Sequence, residues 1–450
     1  MRLSKAAINN NLLSSVVGNV NQLNKTDSYS INQNLNYYYT LNDDNIFALE
    51  AQYLTENDDP FYNALLDNDP TNNNATNPND RDAYDNIAVG LGLDRDQQSY
   101  NLNQDRLIKS NKLDAKLDYY NVLNPKNHMR FTLGTLVSRQ DFNSNIFQFL
   151  DNGNLFNPIP TLTNEGEVLS VANDTQFNFS DMYLGFQYRL KSGKFTFTPS
   201  LSLHAYSNNN NQFGETHKNN FFRILPDFET RVKFRSSESL SLRYKMTNTF
   251  ADVSKLAKGL LLVNYSNISY GEPELQNGLS HNINLSYSNF NMYNYTNIFA
   301  NAAYIKRIDQ IRSNTNFENV INTNTYFNSN FADEMAYLMG GVQRRFGKLR
   351  AGFNVNFKYN QTNLLVQDIK SVSKSFTQSY TPTLRTNFRE APNVGLTYNY
   401  SVSKNNQGIS TTKFITKAPS IDFDVYIWDA LTFVTDFTYS EQDDGNQKQA

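Results

Sequence analysis

The segment MYLGFQYRLKSGKFTFTPSLSL, residues 182–203, alternates in two halves about a short polar turn. Met182, Leu184, Phe186, Tyr188 and Leu190 take every second position of the first half, and Phe195, Phe197, Pro199, Leu201 and Leu203 do so in the second. A period of two puts the apolar set on one face of an extended strand and the polar set on the other. Only Lys191-Ser192-Gly193-Lys194 separates the halves, so the pair reads as an antiparallel hairpin.

The same unit occurs eight times along the chain. The first pairs Tyr29, Ile31, Leu35, Tyr37, Tyr39 and Leu41 with Phe47, Leu49, Ala51 and Tyr53 across Asn42 to Asn45. The second pairs Leu113, Ala115, Leu117 and Tyr119 with Met129, Phe131, Leu133 and Val137 across Asn124-Pro125-Lys126-Asn127, and the segment above is the third. The fourth pairs Phe222, Ile224, Phe228, Val232 and Phe234 with Leu240, Leu242 and Tyr244. The fifth joins Ile283, Leu285 and Tyr287 to a strand around Ile298 to Ile305 whose register stays open. The sixth turns at Arg345-Phe346-Gly347-Lys348 into Leu349, Ala351, Phe353, Val355, Phe357 and Tyr359. The seventh pairs Tyr380, Leu384 and Phe388 with Val394, Leu396, Tyr398 and Tyr400. The eighth pairs Ile421, Phe423, Val425 and Ile427 with Leu431, Phe433, Phe437 and Tyr439 across Trp428-Asp429-Ala430.

Between hairpins the chain changes character. Tyr53 to Leu113, Ser138 to Phe177, Tyr206 to Asn220, Thr247 to Ser280 and Lys306 to Asn330 are rich in Asn, Asp, Ser and Gly and read as long loops. One end of the sheet then has short turns and the other long loops, as in outer-membrane barrels with short periplasmic turns and long extracellular loops. A soluble sandwich has connections of mixed length at both ends. Aromatic residues crowd the short turns: Tyr37-Tyr38-Tyr39, Tyr119-Tyr120, Tyr188 with Phe195, Phe234, Tyr293 with Tyr295, Phe346 and Trp428. A girdle of such rings suits a lipid–water interface, although aromatic residues also favour strands in general.

Composition sets bounds on this reading. The 450 residues have 39% hydrophobic content and a mean hydropathy of −0.60, with no run of about 18 apolar residues. That excludes a helical membrane protein but not a barrel, whose alternating strands average out as polar. The net charge of −3 favours no nucleic acid. Zero cysteines exclude disulfides and cysteine-based zinc sites. The fold expected is all-β: a transmembrane antiparallel up-and-down β-barrel with sixteen strands visible, residues 1–27 leading into a barrel domain over 28–450. Glu441-Gln442-Asp443-Asp444-Gly445-Asn446 reads as the start of a further loop, so the barrel is expected to be incomplete at the C-terminus. The N-terminal apolar runs are shorter than a signal-peptide core, which places the export signal of an outer-membrane protein upstream of this chain.

Leu261-Leu262-Val263-Asn264-Tyr265-Ser266-Asn267-Ile268-Ser269-Tyr270-Gly271-Glu272-Pro273-Glu274-Leu275, followed by Ser280 to Tyr287, resembles the barrel segment of Bacteroidetes-type TonB-dependent receptors. Their barrels carry a Gly-Asn-Pro-Asp/Glu-Leu loop motif before a strand, here Gly271, Glu272, Pro273, Glu274 and Leu275 with Glu272 in place of Asn. Asn57 to Leu65 and Phe142 to Gln148 are similar to loop signatures of that group. Over residues 28–440 the resemblance implies part of a barrel of about 22 strands that encloses a plug. It also implies contact with the TonB complex through a plug or N-terminal segment not present here, and energised uptake of a small nutrient captured by extracellular loops. The motif is a structural loop element, and the ligand-binding residues stay unknown.

No catalytic, cofactor or metal site is expected, and the chain does not read as an enzyme. His128, His204, His217 and His281 lack metal-ligand spacing, and no nucleophile elbow or phosphate loop is present. Gly90-Leu91-Gly92 reads as a flexible strand end. Glu56-Asn57-Asp58-Asp59 and Asp67 to Asn72 offer oxygen ligands for calcium but do not match its usual loop, and read as solvated. The Asn-, Tyr- and Phe-bearing loops can hold a sugar or a peptide. The alternatives are a non-transporting structural or adhesive outer-membrane barrel and a secreted glycan-binding β protein. Outer-membrane lipid is the expected environment in either barrel reading.

Overall fold

Leu184 pairs with Leu203 and Phe186 with Leu201 across the turn at Gly193-Lys194, as the alternation requires. The computed structural model describes residues 2–4, 17–68, 84–164, 166–318, 321–388, 391–408, 410–427, 431–445 and 448–449. Sixteen long strands dominate it. They are β1 (Val17–Asn42), β2 (Asn45–Asp67), β3 (Ser99–Asn124), β4 (Asn127–Phe149), β5 (Ala172–Ser192), β6 (Phe195–Gln212), β7 (Glu215–Arg235) and β8 (Glu238–Thr249). The second half comprises β9 (Gly278–Asn291), β10 (Thr296–Ile308), β11 (Asp333–Phe346), β12 (Leu349–Val366), β13 (Ile369–Thr386), β14 (Asn393–Asn406), β15 (Thr411–Ile427) and β16 (Leu431–Thr438).

Each strand pairs antiparallel with the next. This is the up-and-down meander of a barrel wall, and all eight expected hairpins lie in it. Among the described residues no pairing joins β1 to β16. The open register of the fifth hairpin resolves as Leu285 opposite Ala302 and Ile283 opposite Tyr304. Asparagine shapes several turns: Asn42, Asn124 and Asn291 each accept the backbone N–H two residues on, at 3.1, 2.9 and 2.9 Å. The eighth turn, Trp428-Asp429-Ala430, lies outside the described residues, as does Asp69 to Asn72.

Several expectations are corrected. The strands run to 26 residues in β1 and β3, far beyond the 10 or so needed to cross a bilayer. The supposed loop from Tyr206 to Asn220 is strand on both sides of a two-residue turn, Phe213-Gly214, with φ of 51° and 79°. Positive φ at both centres is the hairpin turn that matches strand twist. Likewise Lys306 to Asn330 contains a hairpin, Ile311–Glu318 with Ile321–Asn328, and β1 begins at Val17, within the stretch expected only to lead into the sheet. Glu56 to Asp59 and Phe142 to Gln148, read as loop segments, are strand residues.

The reason is an inversion of amphipathicity along the strands. Near the short turns, β5 sends Met182, Leu184, Phe186 and Tyr188 to one face, where Leu184 is 61% exposed. Its other face carries Asp181, Tyr183 and Gln187. Beyond Asp181 the roles swap. Asp174, Gln176 and Asn178 continue the first face, and buried Phe177 and Phe179 continue the second. In β3, Leu113, Leu117 and Tyr119 give way on their face to Asn101 and Asp105, while Asp114, Lys116 and Asp118 give way on theirs to buried Tyr100, Leu102 and Gln104. On β3 and β5 the exposed apolar belt is thus confined to the short-turn half, and residues 182–190 give it nine positions on β5. Both buried clusters sit at the distal end, on the face that is polar below.

Candidate ligand chamber and its crossover cap

Residues 250–277 connect β8 to β9 by crossing the inward face of β3–β6. Irregular backbone buried against a sheet must find partners for its N–H and C=O groups. Three buried amide side chains on three strands supply them. Gln104 of β3 accepts the Leu262 N–H at 2.6 Å. Asn173 of β5 accepts the Gly259 N–H at 2.7 Å. Gln212 of β6 accepts the Lys258 N–H at 2.9 Å and donates to the Leu256 carbonyl at 2.9 Å. Arg106 donates to the Leu262 carbonyl at 2.5 Å, and burial pulls its guanidinium below the usual arginine range. These pegs give part of the heavy use of Asn and Gln a structural purpose. Apolar anchors fill the gaps: Leu256, Leu260, Leu262 and Ile268 are fully buried. Tyr62, which packs in the same core, has its phenol pushed up to about 12 by burial.

The family-like motif lies in this crossover. The Gly271 N–H donates to the Ala257 carbonyl at 2.6 Å and that of Glu272 to the Lys255 carbonyl at 2.9 Å. A Cβ at position 271 would stand 2.3 Å from the Lys255 carbonyl oxygen, so only glycine fits. Leu275 is buried, Pro273 lends its carbonyl to Asn210, and the Glu274 side chain is largely exposed. Lys258 Nζ donates to Glu215, the first residue of β7, at 2.6 Å, and this bond holds the exposed Glu215 carboxyl below the usual range.

A second insertion packs beside the crossover. Gly90-Leu91-Gly92 closes a helix, α1 (Asp85–Leu91), and not a strand end. Ile87, Ala88 and Leu91 are its buried apolar side, and Gly92 caps it in the left-handed region at φ 72°. The sequence held that signal in the apolar residues four apart before a glycine.

Below the cap, the inward face opens on a chamber of about 430 Å³. Tyr206, Asn248 and Phe250 roof it, and its walls carry Asp114, Asp118, Asp181, Lys116, Arg130 and Lys245. Asp118 is buried, accepts from the Thr132 hydroxyl and lies 3.6 Å from Lys116 Nζ. His204 Nδ1 meets the Asp181 carboxylate at 2.9 Å and Nε2 meets Ser202 Oγ at 2.9 Å. Its ring stacks between Tyr183, with centroids 4.8 Å apart, and Tyr206, at 5.6 Å. The order Ser–His–Asp is that of an acyl-transfer relay, but β6 pairs on both sides around Ser202, so its N–H groups belong to the ladder and form no oxyanion site. The arrangement fixes the imidazole in the wall. No sequence motif announces it, because the aspartate comes from the neighbouring strand.

The other sequence candidates scatter. Glu56 and Asp58 alternate with Asn57 and Asp59 across the two faces of β2, so the four cannot converge on one cation. Asn68 instead donates to the Arg95 and Gln97 carbonyls at 3.1 and 2.5 Å. His281 bonds the Tyr244 hydroxyl at 2.9 Å and His217 lies 3.4 Å from Glu274. Among the described residues no group of three or more His, Cys, Asp or Glu side chains could hold a metal ion.

No family model matches the sequence, and no curated protein matches it. Solved structures similar to the chain include a double mutant of the Serratia marcescens hemophore receptor HasR in complex with its hemophore HasA and heme. It shows 8% identity, a TM-score of 0.41, and coverage of 94% of this chain and 71% of that one. The siderophore receptor PiuA from Acinetobacter baumannii shows 11% identity and a TM-score of 0.46, covering 93% and 65%. The ferric-catecholate import receptor Fiu from E. coli K12 shows 8% and 0.46, covering 94% and 60%. Likeness at this level names neither family nor ligand for the chain, and the antiparallel barrel-type sheet stands on its own hydrogen-bond ladder.

Proposed function

We propose that the chain forms the barrel wall of a TonB-dependent outer-membrane receptor for a small nutrient, with the apolar belt in lipid and the distal end outside the cell. The observation that carries this reading is the inversion along β2–β6. The exposed apolar belt spans about the nine to eleven residues of a membrane-crossing strand and stops where polar side chains take over on the same face. On the other face the polar chamber lies at belt depth, and the insertions cap it at the distal end. A soluble sheet has no reason to expose Leu184, Phe186, Leu201 and Leu203 side by side while burying its core at one end only. Ligand enters at the capped mouth. TonB acts through a plug enclosed by the wall.

The test is topological. The chain has no cysteine, so one cysteine at Phe213 and, separately, one at Ser192 report on the two ends in intact cells. The reading expects a membrane-impermeant maleimide to label the former only, in a protein that fractionates with the outer membrane, and uptake lost when TonB is absent. A soluble protein contradicts the membrane reading. Membrane insertion with TonB-independent behaviour leaves the non-transporting barrel.

A further inference from the structure

At the distal mouth a second cavity, of about 280 Å³, lies between the sheet and the crossover. Asn208 and Asn210 of β6, His217 of β7 and Phe177 of β5 form its strand side, and Pro273 to Gln276 form its lid. Two of its polar atoms are shielded from solvent and have no hydrogen-bond partner, Asn208 Oδ1 and Asn210 Oδ1, while His217 Nε2 lies 3.6 Å from the Glu215 carboxylate. Asn208 and Asn210 are 6% and 1% exposed. The amide of Asn210 has a fixed sense. Its Nδ2 faces two carbonyls, Leu256 at 3.5 Å and Pro273 at 3.4 Å, and the reverse orientation would set oxygen against oxygen. Its Oδ1 is therefore an acceptor awaiting a donor. Buried acceptors left in this state are costly, and two side by side in one cavity call for a ligand that donates.

We infer that this cavity is a subsite for one sugar unit of a hydroxyl-rich ligand, a specificity assignment that rests on the receptor reading above. Hydroxyl groups donate to neutral amide oxygens and accept from amide N–H groups. Phe177 gives an apolar wall for the C–H face of a ring. A cation is disfavoured, because no carboxylate is buried in the cavity: Glu274 is 74% exposed, and Glu215, 3.6 Å from His217 Nε2, is 61% exposed and bound to Lys258. The loop motif at residues 271–275 acquires a use here. Gly271 allows the tight turn that presents Pro273 and Glu274 as the lid.

The experiment uses the whole chain in detergent micelles. D-glucose, D-galactose, D-mannose and N-acetylglucosamine are titrated separately, with calcium chloride as a further arm, and binding is read by saturation-transfer NMR and thermal shift. The inference expects saturable binding of at least one sugar. Asn210→Leu should weaken it at least tenfold with the β-sheet circular dichroism unchanged. Ser207→Ala, outward on the same strand, should leave it unaltered. Binding of none of the four sugars, equal affinity in Asn210→Leu, or a response to calcium alone would overturn it. Cysteine labelling of the two ends of the sheet is independent of these titrations, so loss of the sugar result leaves the receptor reading standing.

Discussion

Phe186 sits at the middle of the nine-residue belt on β5, opposite Leu201 on β6, with its ring 5.1 Å from that of Phe131 on β4. Replacing it with arginine sets a charge in the middle of the apolar face. In a barrel wall this costs about 2–4 kcal/mol at the bilayer midplane. Loss of the ring contact adds about 0.5–1.5 kcal/mol, which Phe186→Leu measures separately. Thr198→Arg is the matched substitution on the inward face. Thr198 lies within the belt on β6 and stands opposite Glu229 of β7, which already accepts from Arg231, so the new charge stays in the polar interior. Its effect should fall within about 0.5 kcal/mol. The assay is reversible urea unfolding in lipid vesicles, followed by tryptophan-independent circular dichroism. Equal costs for the two arginines would refute the assignment of faces.

Gly271→Ala forces a methyl group against the Lys255 carbonyl, and overpacking of this kind costs about 1–3 kcal/mol; limited proteolysis should then cut within residues 250–277 first. Gln104→Leu leaves the Leu262 N–H without its acceptor and should cost about 1–3 kcal/mol, with amide exchange at Leu262 accelerated and the belt unchanged. The Glu215 carboxyl is held below its ordinary value by Lys258, so the bond contributes above the unfolded pKa and is lost as pH falls through the folded one. Exchange of the crossover amides should rise on acidification below the ordinary glutamate range, and Glu215→Gln should abolish that pH dependence.

The sheet was legible because its core signal is local. Period-two alternation at Met182–Leu190 and Phe195–Leu203 sets face and turn together, and the eight hairpins follow from it. The distal halves of the strands were not legible. Once a strand leaves the belt, its outward residues become Asn, Ser and Asp, and an Asn-rich run such as Ser207 to Asn211 has the composition of a loop although its backbone stays in the ladder. The candidate cavities were hidden for a related reason. Asn208, Asn210 and His217 come together with Pro273 only when the crossover folds back over 50 or more residues. The Gly-Glu-Pro-Glu-Leu motif showed where the chain turns, but not what it covers.

The most direct measurement is a cysteine scan of residues 181–190 in the membrane-inserted chain, one substitution at a time. The account predicts that positions 182, 184, 186, 188 and 190 react with a lipid-soluble maleimide and resist a water-soluble one, with the reverse at 181, 183, 185, 187 and 189. Equal reactivity of both sets, or a chain that stays in solution without detergent, would contradict it.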